Sequence, residues 1–147
     1  MSLHPLFSKR MLDLRWFWAT LALSSFTWGQ GAQTERRVIE VLADHDSRYK
    51  MEGEKQPVIT AKAGEPITLR ITAKKAKSVN RDGAIHGFTL LRAKDGSPVD
   101  GLDFLLKPGV QEFSVTAPSD PGEYRVVCTV ICSQDHEGMN MKLVVLP

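Results

Sequence analysis

The stretch Cys128-Thr-Val-Ile-Cys132-Ser-Gln-Asp-His136-Glu-Gly-Met139 places two thiols, an imidazole and a thioether at spacings C-x3-C-x3-H-x2-M. These are the side chains that soft and borderline metals prefer, copper above all. Four donors this close along the chain converge on one point only if the segment folds back on itself. A loop held in that shape needs stiff supports on both sides. The remainder of the chain must therefore supply a rigid scaffold.

That scaffold reads as β-structure. Arg37 to Leu42 alternates in part and carries β-branched residues, which predicts a first strand. Asp44 to Arg48 is polar and reads as a loop; His45 within it is read as a solvated histidine, with opportunistic metal binding as the alternative. Val58 to Ala61 makes a short strand, and Ala63-Gly64-Glu65-Pro66 turns the chain. Ile67 to Thr72 then alternates strictly, with Ile67, Leu69 and Ile71 expected to face the core. A basic run, Lys74, Lys75 and Lys77, follows, read as solvated surface or as a patch for an acidic partner.

Further along, His86 opens an apolar strand that runs to Leu91. Ala93 to Asp100 is rich in turn formers, Leu102 to Leu106 is an apolar return, and Gln111 to Thr116 alternates with Phe113 and Val115 inward. Glu123 to Val127 leads straight into Cys128, and Lys142 to Leu146 closes the chain. Seven or so short strands with turn signals every 8–12 residues describe an all-β antiparallel sandwich or Greek-key barrel. The chain length of 147 leaves room for one such domain, over 36–147, behind a leader at 1–32.

The leader has Lys9, Arg10 and Arg15 before an apolar run from Trp16 to Trp28, then Gly29, Gly31 and Ala32. A positive start, a short apolar middle and a small-residue exit predict a secretory signal. The run of about 13 residues is shorter than the ~20 a helix needs to cross a bilayer, so a short uncleaved anchor is the alternative. No Cys follows it to carry a lipid. Of 19 basic and 17 acidic residues, three basic and one acidic lie in 1–32, leaving 16 of each. So even a balance gives no basis for a nucleic-acid or lipid-surface partner.

Export into an oxidising compartment makes a Cys128–Cys132 disulfide the simplest reading of the two cysteines. A disulfide does not account for His136 and Met139. With His86 brought from an earlier strand to the same pole, the donors are two thiolates, two imidazoles, a thioether and the loop carbonyls. Zinc could use Cys2His2, although it gains little from a thioether. A mononuclear electron-transfer copper needs one Cys, two His and a weak axial Met. The second Cys goes beyond that. Two thiolates can bridge two coppers, spreading an added electron over both and keeping the reorganisation on electron transfer small.

Cys128-x3-Cys132-x3-His136-x2-Met139 with an upstream His86-Gly-Phe resembles the dinuclear copper A (CuA) centre of the cupredoxin domains of cytochrome c oxidase subunit II and nitrous oxide reductase. The likeness runs from about Arg37 to Pro147 and implies a cupredoxin-like Greek-key β-sandwich. It also implies that Cys128 and Cys132 bridge two copper ions, that His86 and His136 each bind one, and that Met139 and the Val130 carbonyl are weak ligands. The departures are specific. Val130 stands where oxidase subunits carry a Glu, the subunit II membrane hairpin is not present, residues after the leader contain no Trp, and Asp82 lies four rather than three before His86.

These features lead to an exported, periplasmic or otherwise extracytoplasmic cupredoxin that transfers single electrons, with a c-type cytochrome or an oxidase as partner. The membrane is a partner only if the leader stays uncleaved. Nothing in the chain forms a catalytic triad or an acid–base pair, so no catalysis is expected of it alone. Three other readings stand beside this one: a Cu(I) carrier or metallochaperone, a subunit of a respiratory oxidase, and a metal-free sandwich with a disulfide.

Overall fold

The structure, a computed structural model, describes residues 36–75 and 80–147; the leader at 1–32 and Lys77 lie outside them. Nine strands are described: β1 (Arg37–Ala43), β2 (Tyr49–Lys50), β3 (Val58–Lys62), β4 (Pro66–Ala73), β5 (His86–Arg92), β6 (Pro98–Leu106), β7 (Gly109–Thr116), β8 (Gly122–Val127) and β9 (Asn140–Leu146). One sheet has the order β2-β1-β4-β7, the other β3-β9-β8-β5-β6.

The clean alternation of β4 is what the fold uses. Ile67, Leu69, Ile71 and Ala73 are buried, while the intervening Thr68, Arg70 and Thr72 keep contact with solvent. Successive side chains of a strand point to opposite faces, so a period of two buries one face and solvates the other. The same rule places Ile39, Val41 and Ala43 of β1, and Met141, Leu143 and Val145 of β9, inside the sandwich. On the outer face, Arg70 bridges Glu40 at 2.8 Å and Glu112 at 2.6 Å, its neighbours on either side. Exposed pairs of this kind add little to stability.

The strand pairing departs from the antiparallel expectation. β1 pairs with β4 in parallel, from Arg37↔Ile67 to Ala43↔Ala73, and β3 pairs with β9 in parallel, from Val58↔Lys142 to Lys62↔Leu146. Both sheets are therefore mixed. Parallel neighbours need crossover connections rather than tight hairpins, and local alternation carries no information about a partner far along the chain. The turn-rich segment before Leu102 also contributes more than expected, because β6 starts at Pro98 and pairs with β5 across a register shift between Thr89 and Leu91. The two-residue β2, which pairs with the end of β1, is too short to leave a periodic signal.

β5 is buried on both faces over His86, Gly87, Phe88, Thr89 and Leu90. By alternation His86, Phe88 and Leu90 share the core face, and Gly87 and Thr89 share the other. An aromatic run fills the core beside it: Tyr49 meets Phe88 edge-on at 5.8 Å, Phe88 lies 6.3 Å from Phe104, and Phe104 stacks on Phe113 at 4.2 Å. Phe104 belongs to one sheet and Phe113 to the other, so this stack ties the two layers together. At the opposite end of β8, the Tyr124 hydroxyl donates to the Asp120 carbonyl at 2.8 Å and pins the turn that precedes the strand.

Burial predicts where truncation is costly. Leu69→Ala, at the centre of β4, should lower the unfolding free energy by about 2–5 kcal/mol. Val38→Ala, 45% exposed on β1, should stay within about 0.5 kcal/mol of the parent. Urea midpoints at unchanged slope measure both, and equal losses at the two positions would contradict this sandwich.

Candidate metal centre

The loop between β8 and β9 holds the donor cluster, and β5 brings His86 to it. A ring nitrogen of His86 and the sulfurs of Cys128 and Cys132 all lie within 4.8 Å of one another, and all three residues are buried. Both thiols are free, with their sulfurs 3.8 Å apart. That is well beyond a disulfide bond of ~2.05 Å. It is within the ~4.6 Å that two sulfurs can span when each sits ~2.3 Å from a shared metal.

The orientation of His86 is set from one side of the ring only. Nε2 lies 3.0 Å from the Lys74 carbonyl, which can only accept, so the proton is on Nε2. Nδ1 then carries the lone pair, and it is buried with no hydrogen-bond partner. A buried polar atom left without a partner costs about 1–3 kcal/mol. Burial also holds the His86 pKa below its usual value, partly countered by the Lys74 carbonyl, so the neutral, ligating form persists at neutral pH. A histidine with one N–H on a backbone carbonyl and the other nitrogen bare, on a ring with a nitrogen within 4.8 Å of two thiols, fits a metal ligand.

The sulfurs are also oriented by backbone groups. Gly87 N–H donates to Cys128 Sγ at 3.2 Å, and the Cys128 thiol donates to the Val130 carbonyl at 3.2 Å. The same carbonyl accepts from Cys132 N–H at 2.8 Å, so the peptide after Val130 turns inward toward the sulfurs. Met139 is fully buried and its carbonyl accepts from Cys128 N–H at 3.1 Å, which zips the two ends of the loop together. Burial raises the Cys128 thiol from 9.0 to about 11, against the two backbone hydrogen bonds.

His136 is placed differently from the tight cluster. It opens a short 3-10 turn, His136–Gly138, and is half-buried. Its Nδ1–H donates to the Ser133 carbonyl at 3.1 Å, which leaves Nε2 as the acceptor nitrogen. His45 stays apart, paired with Asp44 at 2.7 Å and largely exposed. Its neighbour Asp44 is the buried anchor: its carboxylate takes His45 N–H at 2.8 Å and Lys50 Nζ at 2.7 Å, with Lys74 Nζ at 3.7 Å. Lys50 first, and then the His45 backbone and ring, hold the carboxyl well below its usual range despite burial. Lys74 N–H bonds the Ala43 carbonyl at 2.8 Å, so the same corner fixes the carbonyl that orients His86.

Three supporting residues had no clear sequence signal. Gly87 sits where a β-carbon would meet Thr129 N at 2.8 Å and Thr129 Oγ1 at 2.7 Å. Tyr49, from β2, donates its hydroxyl to the Gly87 carbonyl in a short, buried hydrogen bond. Ser47 reaches Cys132 from the β1–β2 loop. Only Gly87, adjacent to His86, had a positional hint.

Two expectations follow from this packing. Gly87→Ala forces the ligand loop off β5, because a backbone nitrogen cannot yield as a flexible side chain would. Its unfolding free energy should fall by about 1–3 kcal/mol, together with weakened metal uptake; a variant with parental stability and uptake would remove Gly87 from this role. The second concerns alkali. Between pH 9 and about 11 the folded metal-free chain keeps a Cys128 proton that the unfolded chain has lost, so stability falls as pH rises through that window. The raised Tyr49 hydroxyl extends the fall upward. Urea midpoints from pH 8 to 11 should show it, shallower in Cys128→Ser.

No model of a known protein family matches the sequence, and no curated protein matches it. Solved structures do. A chain of a heme-copper terminal oxidase dimer is 18% identical, with a TM-score of 0.51 over 78% of this chain and 68% of that one. Auracyanin B is 19% identical, TM-score 0.50, over 76% of this chain and 89% of that one. Auracyanin A, a "blue" copper protein from the green thermophilic photosynthetic bacterium Chloroflexus aurantiacus, is 22% identical, TM-score 0.50, over 74% and 98%. The chain has the cupredoxin-like Greek-key β-sandwich fold, with a candidate metal-binding cluster of His86, Cys128 and Cys132 at one pole.

Proposed function

We propose that this protein is an exported copper protein that passes single electrons through a dinuclear, CuA-type centre held by His86, Cys128, Cys132, His136, Met139 and the Val130 carbonyl. The buried, unpartnered Nδ1 of His86, on a ring that comes within 4.8 Å of two free thiols lying 3.8 Å apart, carries this reading. The likeness of the fold to a "blue" copper protein and to a chain of a heme-copper oxidase supports it. When bound, the copper pair supplies one-electron redox chemistry.

The chain's own residues bind, orient and exclude water. Cys128 and Cys132 supply two sulfurs that face each other, so each can serve two metals. His86 offers Nδ1 while its Nε2–H stays on Lys74, and His136 keeps an acceptor nitrogen beyond its bond to Ser133. Met139 is tied beside Cys128 through its backbone, and the burial of both keeps solvent from the sulfurs. Soft donors in a dry, braced pocket suit both oxidation states of copper with little rearrangement. Ile131, 68% exposed within the ligand loop, brings solvent-facing apolar surface within one residue of Cys132. A c-type cytochrome or an oxidase would approach there.

Export rests on the signal-like leader; among the described residues no helix is long and apolar enough to cross a membrane. A second reading, carriage of Cu(I), draws on one observation: the tight cluster has three donors, with His136 on a separate turn.

Metal loading separates the two. An electron carrier should hold two coppers per chain and give an EPR spectrum in which one unpaired electron couples to both nuclei. Cys132→Ser should abolish that spectrum, and Met139→Leu should keep copper while shifting its potential. One colourless copper per chain, surrendered to a competing chelator, would establish carriage instead.

A further inference from the structure

The fold treats the two sulfurs differently. Cys128 Sγ receives a backbone N–H, from Gly87. Cys132 Sγ instead lies 3.6 Å from a side-chain hydroxyl, that of Ser47, which comes from 85 residues earlier in the chain. Ser47 is 1% exposed and is the one non-glycine among the described residues with a positive φ, at 57°. An L-residue in that region costs about 1–2 kcal/mol, and such strain persists only where the surroundings impose it. Here the loop imposes it: Ser47 N–H bonds the Asp44 carbonyl at 3.1 Å, Asp44 N–H bonds the Arg48 carbonyl at 2.9 Å, and the Arg48 guanidinium bonds the Ser47 carbonyl at 3.0 Å.

The hydrogen bonds around Ser47 also form a chain. Asp135 N–H donates to Ser133 Oγ at 3.1 Å, and the Ser133 and Ser47 hydroxyls lie 2.7 Å apart, where either can donate. With Ser133 as the donor, the Ser47 proton is free for Cys132 Sγ. A thiolate can only accept, so once Cys132 is deprotonated the chain of donors from Asp135 through Ser133 and Ser47 must end on that sulfur. Arg48 packs against Gly138 on the far side of the ligand loop, so the strained corner grips the loop at two places.

We infer that Ser47 is a positioning residue whose hydroxyl donates to the Cys132 sulfur and sets the electron density of that one sulfur in the metal site. The inference rests on the reading of Cys132 as a metal ligand. A thiolate that accepts a hydrogen bond gives less charge to its metal, which favours the reduced ion. The hydroxyl therefore raises the reduction potential, and it acts on Cys132 without touching Cys128.

Ser47→Ala and Ser47→Gly in the full chain test this together. Both remove the hydroxyl, but glycine adopts φ near +57° freely, so the metal-free Gly variant should melt above the Ala variant. Each is loaded with copper and, separately, with Co(II), and with either ion the thiolate charge-transfer bands report on the ligand sulfurs, of which the hydroxyl touches Cys132 alone. Both variants should show the charge-transfer band at lower energy with either ion, by equal amounts, and a lower copper potential. A Gly variant with the parental bands and potential overturns the inference, as do band shifts that follow the melting temperatures instead of the hydroxyl. If the parent binds Co(II) but no copper, the copper reading fails while the cobalt bands still decide the role of Ser47. A parent that takes up neither ion overturns both.

Discussion

The contact between β5 and the ligand loop at Gly87 is the constraint on which the candidate centre depends. Without a β-carbon, β5 lets the Thr129 backbone lie directly on it. That closeness allows Gly87 N–H to reach Cys128 Sγ, while the Gly87 carbonyl takes the Tyr49 hydroxyl. One residue thus ties together the strand that carries His86, the loop that carries the thiols, and the short β2. Thr89, two residues on along the same face, extends the contact by bonding Thr129 Oγ1 at 3.0 Å and Asp103 at 2.6 Å. A loop of twelve residues with one short 3-10 turn would be poorly ordered alone. Pressed on a central strand, it becomes as fixed as the sheet.

Burial then does the electrostatic selection. His86 is kept neutral by desolvation, and its proton is confined to Nε2 by a carbonyl that can only accept. Cys128 is kept as a thiol by the same desolvation. Neither group carries a charge that the pocket must compensate, and a metal bound to these donors would release a proton from sulfur. The buried carboxylate nearby, Asp44, is already satisfied by Lys50, His45 and Lys74. It braces the corner and does not compete as a hard oxygen ligand.

The β1–β2 corner links these effects. It supplies Asp44, which anchors the Lys74 segment; Ser47, which meets Cys132; and, just beyond, Tyr49, which meets Gly87. Within six residues it thereby reaches the supports of His86, Cys132 and Cys128. The strained backbone at Ser47 fits this role, since a relaxed loop would have no reason to hold a buried hydroxyl there.

Much of this protein was legible without coordinates. Alternation identifies β4 and its core face, because a period of two reflects only local geometry and burial. The spacing from Cys128 to Met139 announces soft-metal donors, since residue type and proximity along a chain are themselves sequence properties. His86 could be joined to them by its place at the start of an earlier strand and by resemblance, not by spacing. What tertiary structure alone decided were relations between distant segments. The parallel pairing of β1 with β4 and β3 with β9, the lone pair of His86 left bare at Nδ1, and the arrival of Ser47 and Tyr49 all depend on strand order. A short loop at Asp44 to Arg48 looks like ordinary solvated turn until the sheet carries it onto the sulfurs. Its chemistry comes from where it is placed, and placement is a property of the whole sandwich.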